Sequence, residues 1–449
     1  MIDKIKEAWA IPDVQKRIQF VLIMFAIFAL GARVPVPGVS SESIAKLFHN
    51  GQGGLLGLLN AFSGGALRSF SLFAMGVAPY INASIIMQLL GVAVPKFRDM
   101  QSEGEAGRKR IANITRRITI PLGLGQSFGL TLLLGLHFSM TLSYFSQVIP
   151  IMVILTAGTM FLLWLGEQVT KKGVGNGVSL IIFAGIALNL PSYIVGISEQ
   201  LRSGASFFNL LILIAAFVGM VVLVVYITQG TRRIPVLHFK RVVGRGQTQA
   251  STSFLPIKVN AAGVMPVIFA ISLMLLPATL SNMLPGKPGD PGFIGFVKHY
   301  AMLLQPGANI GSTVVYGLVV FAFTFFYTAV VLPVDDMAEN LNKSGSYIPG
   351  VRPGKPTYDY LEAVVSRMTT AGATFLAFIA IVQYEVPELT GFPTFSLIGG
   401  TSLLILVGVA IDTMQAIEAQ LLQRNYQGFI KNTQSQAPFT IPNNSGLPE

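Results

Sequence analysis

Ten apolar stretches, each close to the length of a membrane-crossing helix, occupy most of this chain. They lie at about 17–36, 70–91, 118–136, 148–165 and 177–197, then at about 207–227, 257–280, 311–332, 368–386 and 395–410. A helix needs roughly 20 apolar residues to cross a hydrocarbon core about 30 Å thick. Backbone groups in lipid must be satisfied within the segment, so runs this long predict helices. Composition agrees: 52% of the 449 residues are hydrophobic and 11% charged, against about 25% charged in a soluble domain. The expected fold class is an all-α polytopic membrane protein with ten transmembrane helices. Cysteine is absent, which excludes disulfides, thiolate catalysis and Cys-ligated metal. Residues 1–17 are polar and nothing marks the first span for removal, so no cleavable leader is expected.

An even number of spans puts both termini on one side. Of the 31 Lys and Arg, only Arg33, Lys46, Arg68, Arg202, Lys287 and Lys298 fall on the opposite side. Basic residues concentrate in cytoplasmic loops, so both termini are expected in the cytoplasm. The chain divides into an N-terminal half, 1–200, with spans one to five, and a C-terminal half, 201–430, with spans six to ten. A cytoplasmic tail, 431–449, follows. With five spans each, the halves enter from opposite sides, so any repeat between them is inverted.

A short motif supports such a repeat. Gly76-Val77-Ala78-Pro79 in the second span is echoed by Gly263-Val264-Met265-Pro266 in the seventh, and each is followed by an isoleucine, Ile81 and Ile268. Counted from opposite membrane faces, both isoleucines lie roughly 16 Å deep, near the middle of the core. Glycine and proline interrupting corresponding spans point to the working site of a repeat-built membrane protein. Chance in a chain with 46 Gly and 25 Pro is the competing account.

One apolar stretch is too short to span. Gly53-Gly54-Leu55-Leu56-Gly57-Leu58-Leu59-Asn60-Ala61-Phe62 is broken by glycine, and the segment of about 53–67 has the length of a re-entrant or interfacial element. Two readings stay open: an amphipathic helix on the outer surface, or a small helix that stoppers a cavity from outside.

The spans also lack the groups that coupled transport needs. Arg33, Glu167, Glu385 and Asp412 lie toward span ends, and no carboxylate or His pair sits at a midplane. G-x-S-x-G, H-E-x-x-H and P-loop motifs are absent, and His49, His137, His238 and His299 form no ligand spacing. No catalytic residue, metal site or cofactor is expected, and energy for any transport must come from a partner.

Two cytoplasmic loops stand out, at about 229–257 and 334–366. The first holds Arg232, Arg233, Lys240, Arg241 and Arg245, with Lys258 just beyond it. No acidic residue interrupts this set, and the pattern reads as a protruding hairpin. The second contains Pro349-Gly350-Val351-Arg352-Pro353-Gly354, in which two prolines fix the approach of one arginine. Basic loops of this size fit an acidic surface, either protein or RNA phosphates.

At this point several long motifs resemble the SecY family of protein-translocation channels, in its bacterial branch. They are 75–90, beginning Met75-Gly76-Val77-Ala78-Pro79; Glu103-Gly104-Glu105-Ala106-Gly107-Arg108; Trp164-Leu165-Gly166-Glu167-Gln168; Gly175-Asn176-Gly177-Val178-Ser179; Lys258 through Pro266; and Lys343-Ser344-Gly345 with 349–354. The resemblance runs through nearly the whole chain in order. It implies two inverted five-helix halves around an hourglass pore, with the 53–67 segment as a plug helix that includes Leu55, Leu58, Asn60 and Phe62. It implies a pore ring of Val77, Ile81, Val178, Ile182, Ile268 and Ile405, an apolar constriction that dewets and blocks ions. It implies a lateral gate between spans two and three and spans seven and eight, with Pro79, Asn82, Ser84, Gln88, Pro266 and Ile271 on its walls.

Partners follow from the same resemblance: SecE and SecG homologues in the membrane, the SecA motor ATPase, the ribosome, and signal peptides and nascent chains that pass into lipid or across it. Docking is expected through Arg241, Arg245, Lys343, Arg352 and Lys355. One departure is that Arg245 is followed by Gly246, where family members often carry a second basic residue. A secondary transporter with inverted repeats is the main alternative, but it would need polar or ionisable groups near the midplane. An intramembrane enzyme would need a dyad that is absent. An insertase-like scaffold without a through-pore is the weakest of the alternatives.

Overall fold

The computed structural model describes residues 11–37, 39, 60–133, 142–202, 204, 206–238, 252–283, 293–392 and 399–435. Helix α1, Pro12–Gly31, opens the first half. Residues 60–62 are helical, and turns follow as far as Val77. Then come α2 (Ala78–Ala93), α3 (Pro95–Ser102), α4 (Glu105–Leu133), α5 (Leu142–Lys172) and α6 (Gly177–Arg202). The second half holds α7 (Phe207–Gln229), β1 (Thr231–His238), β2 (Thr252–Lys258), α8 (Met265–Met283) and α9 (Phe293–Leu303). It continues with α10 (Ile310–Val331), α11 (Val334–Lys343), β3 (Ser346–Tyr347), α12 (Lys355–Thr390) and α13 (Thr401–Ser435).

The expectation of ten spans is met in part. Among the described residues, seven helices are long and apolar enough to cross a membrane, and α2 with α3 forms an eighth candidate bent by 104°. The bend falls at Val94, which is extended (φ −118°, ψ 116°) because the following Pro95 disfavours helical backbone before it. Two further helices stand outside that set. The first half of α4 carries Glu105, Arg108, Lys109, Arg110, Arg116 and Arg117, and α8 contributes an apolar run, Met265–Met274, among the described residues.

The two Gly-Val-Xaa-Pro motifs are helix starts rather than breaks within helices. Gly76 and Gly263 adopt φ of +55° and +64°, a region open to glycine at low cost. Helices α2 and α8 then begin at Ala78 and Met265, with Pro79 and Pro266 in the first turn, where a missing N–H costs no intrahelical bond. The second span is thus helical only from residue 78, and turns fill the part expected to be helix over 70–77.

The all-α expectation needs one amendment. Strands β1 and β2 pair antiparallel, Thr231 opposite Lys258 and Leu237 opposite Thr252, as the hairpin reading of this loop anticipated. The two-residue β3 adds to the other edge of β1, with Leu237 opposite Tyr347. Both basic loops therefore belong to one three-stranded sheet, in the order β2-β1-β3. Inward residues alternate along the strands, as strand geometry requires. Ile234, Ile257 and Ile348 are buried with Leu361 and Val365 of α12, and Met337 and Leu341 of α11 pack against them.

Within the membrane-spanning part, α10 packs on α12 and α8, while α4 packs on α2 and α5. The second half has its own core, in which Met220, Val267, Tyr316, Val320, Leu376 and Leu404 are buried. The first half has another, and this one also takes in Ile268, Ile405 and Val409 from the second half. The halves meet where α13 lies against α6 and where α8 touches α4 and α2.

Candidate functional site: an apolar junction between the halves

The junction is built from four helices. On α2, Val77 caps the helix and Ile81 sits one turn on, its N–H donating to the Val77 carbonyl at 3.0 Å. Residues four apart share a helix face. Helix α6 supplies Val178 and Ile182 by the same spacing, α8 supplies Ile268, and α13 supplies Ile405. All six pack into one cluster. Val77, Ile81, Ile182, Ile268 and Ile405 are buried in it, and Val178 packs against them partly exposed. No Asp, Glu, Lys, Arg or His lies within a helical turn of Ile81, Ile182, Ile268 or Ile405 along the chain.

The cluster is wider than these six residues, and Val264 is among the others. Val264 packs against the same residues and holds in α8 the place that Val77 holds in α2, the residue before the helix start. The motif repeat itself carried that signal, since Val77 and Val264 occupy the same position in it.

The segment from residue 60 packs against the junction. Phe62 packs against the cluster, while Ala61 and Ala66 are fully buried. Its seat is on α6, at Gly185 and Asn189. The Asn189 side-chain amide donates to the carbonyl oxygens of Asn60 and Ala61, 3.2 Å each, and to its own helix at Gly185, 3.3 Å. A Cβ at Gly185 would stand 2.6 Å from the Phe62 carbonyl oxygen, so only glycine lets the segment lie this close. Asn60 in turn accepts from the Arg68 backbone N–H at 2.8 Å, which closes the loop on itself. Leu55 and Leu58 lie outside the described residues.

Of the residues expected on the lateral gate, Pro79 is buried in the first turn of α2, and Asn82, Ser84 and Gln88 are half-buried along it. Gln88 Nε2 donates to Ser84 Oγ at 3.4 Å, one turn apart. The Gln88 Oε1 is buried without a partner. Pro266 is buried at the start of α8. Ile271 belongs to the core of the second half rather than to the cluster that joins the halves. Glu167, which snorkelling alone would have explained, pairs instead with Arg116 and ties α5 to α4.

On the sheet side, Arg352 and Lys355 are exposed. The Arg352 backbone is fixed although its side chain is free, because its carbonyl accepts from the buried Thr357 hydroxyl at 2.8 Å. Lys343 is exposed and pairs with Glu339 at 2.8 Å. Arg241, Arg245 and Gly246 lie outside the described residues. Among the described residues, no three His, Asp or Glu are placed together as metal ligands.

The fold and the junction define a class: a polytopic helical membrane protein whose halves meet at an uncharged junction rich in β-branched residues. Comparison with known proteins is more specific. The SecY family profile matches residues 71–414. The protein translocase subunit SecY of Halalkalibacterium halodurans is 43% identical over 96% of this chain and 100% of its own length. The Staphylococcus aureus counterpart is 40% identical over 96% and 99%. Solved structures agree in fold. One described as a protein conducting channel has a TM-score of 0.60 at 18% identity, covering 90% of this chain and 92% of that one. Sec61 in the canine ribosome-channel complex scores 0.57 at 16% identity, covering the same shares. The chain belongs to the SecY family.

Proposed function

We propose that this chain is the channel subunit of a bacterial protein translocase, placed in the cytoplasmic membrane with both termini in the cytoplasm. Unfolded polypeptides cross through the junction between the halves, and hydrophobic segments leave sideways into lipid between α2 and α4 on one wall and α8 and α10 on the other. The observation that carries this reading is the convergence of six apolar side chains from four helices of both halves on one uncharged cluster. A narrow apolar waist dewets and blocks ions when empty, and branched aliphatic walls offer no hydrogen bond to hold a passing backbone. The 53–67 segment acts as the plug, its part from Asn60 onward seated through Asn189, and a signal peptide displaces it while parting the gate helices.

The chain is a conduit rather than an enzyme, so a partner supplies the energy. We assign that role to a SecA motor or a ribosome docked on the sheet-bearing face, where Arg352 and Lys355 project. Membrane subunits homologous to SecE and SecG complete the complex. The experiment is reconstitution of the chain with these partners in liposomes. ATP-dependent import of a secretory precursor to a protease-protected state supports the reading. A complex that assembles and binds the motor yet imports nothing contradicts it.

A further inference from the structure

Helix α9 joins α8 to α10 at the end of those helices opposite the sheet. It packs on α8, with the small residues Gly295 and Ala301 buried. The other side is an apolar stripe. Phe296, Tyr300, Leu303 and, just past the helix end, Leu304 are 59%, 50%, 40% and 40% exposed. Their spacing of four, seven and eight residues from Phe296 puts them on one face. The rings of Phe296 and Tyr300 already lie together, centroids 4.3 Å apart.

A contiguous stripe of this kind in water would be a liability. Its surroundings indicate a different solvent. Only residues 305–309 separate the stripe from the start of α10, where Ile310, Val314 and Leu318 are 67%, 45% and 63% exposed. Helix α10 is long and apolar enough to cross the membrane, and in a bilayer the solvent met by such exposed residues is lipid. The stripe therefore continues a lipid-facing surface to the level where α10 leaves the hydrocarbon, and aromatic residues favour that depth.

We propose that α9 is an interfacial anchor. It lies along the membrane surface with Phe296, Tyr300, Leu303 and Leu304 inserted into the boundary between phospholipid headgroups and acyl chains. An amphipathic helix in this position sinks its apolar face by roughly 5–10 Å. Because α9 is bound to α8, the anchor fixes one end of the helix that carries Ile268. The proposal concerns α9 and lipid alone, so it stands or falls independently of the translocation reading.

The chain has no cysteine, so single spin labels can be placed without background at Phe296→Cys, Tyr300→Cys and Leu303→Cys. The full channel complex is reconstituted in phosphatidylethanolamine–phosphatidylglycerol liposomes, and label collisions with oxygen and with a water-soluble nickel chelate are compared. Asn342→Cys on exposed α11 serves as the aqueous control. The anchor predicts that oxygen outcompetes the chelate several-fold at all three stripe positions relative to the control. Chelate accessibility equal to the control would overturn it, and so would exclusion of both reagents, which would mean that protein covers the stripe. Three separate positions keep the test valid if one label impairs assembly.

Discussion

The side-chain amide of Asn189 donates to the carbonyl oxygen of Asn60 at 3.2 Å, across 129 residues of sequence. The same amide reaches the Ala61 carbonyl at 3.2 Å. Asn189 is 5% exposed within an otherwise apolar helix face, where leaving such carbonyls unpaired costs about 1–3 kcal/mol. Replacing Asn189 with Leu should therefore shift the 60–67 segment toward its unseated state by roughly 5- to 150-fold. Gly185→Val should act in the same direction by driving a methyl against the Phe62 carbonyl. Both variants are expected to show ion leak in planar bilayers without any secretory precursor, while the parent chain stays tight.

The apolar waist makes a second prediction. Ile81→Asn combined with Ile268→Asn places two amides where branched carbon now excludes water, and a wetted constriction conducts. Ion conductance of the resting complex should rise, whereas Ile81→Val with Ile268→Val should leave it unchanged. Equal conductance in the two pairs would remove the waist as the barrier.

Charge on the sheet face is separable residue by residue. Arg352→Glu should reduce motor-driven import by an order of magnitude or more, because it reverses an exposed charge on a fixed backbone. Lys343→Glu should matter less. Its surface pair with Glu339 is worth at most about 1 kcal/mol. Import rates across a salt series check both, since steering by exposed charge weakens as the Debye length shortens.

The shared sheet predicts that the two basic loops unfold together. Leu361 is fully buried beneath both, and Leu361→Ala should cost about 2–5 kcal/mol locally. Hydrogen exchange should then quicken at Ile234 and Ile257 in the first loop as well as at Ile348 in the second. Quickening confined to the second loop would mean that they are independent.

Much of the architecture was legible in the sequence because lipid imposes a simple length rule on apolar runs. The rule misjudged 70–77, where Gly76 and Pro79 set a helix start that hydropathy alone does not register. It also passed over α9, an 11-residue helix too short to span, whose exposed apolar stripe shows only in the fold. The junction residues came from motif resemblance, and their gathering in space could not be derived from spacing. Val264 was available from the repeat and was missed. Asn189 gave no signal, because a lone asparagine in an apolar helix says nothing of a partner 129 residues away. Likewise, a two-residue strand such as β3 carries no pattern of its own and forms only because β1 offers it an edge.

Crosslinking tests the central claim most directly. A photoreactive residue is placed at position 81 or 268, and a secretory precursor is stalled halfway through the reconstituted complex. The account predicts adducts from both positions to the stalled chain, and none from Phe378, an exposed residue on the surface of α12. Translocation proceeding at the normal rate with no adduct from either 81 or 268 would show that polypeptides do not pass the junction between the halves.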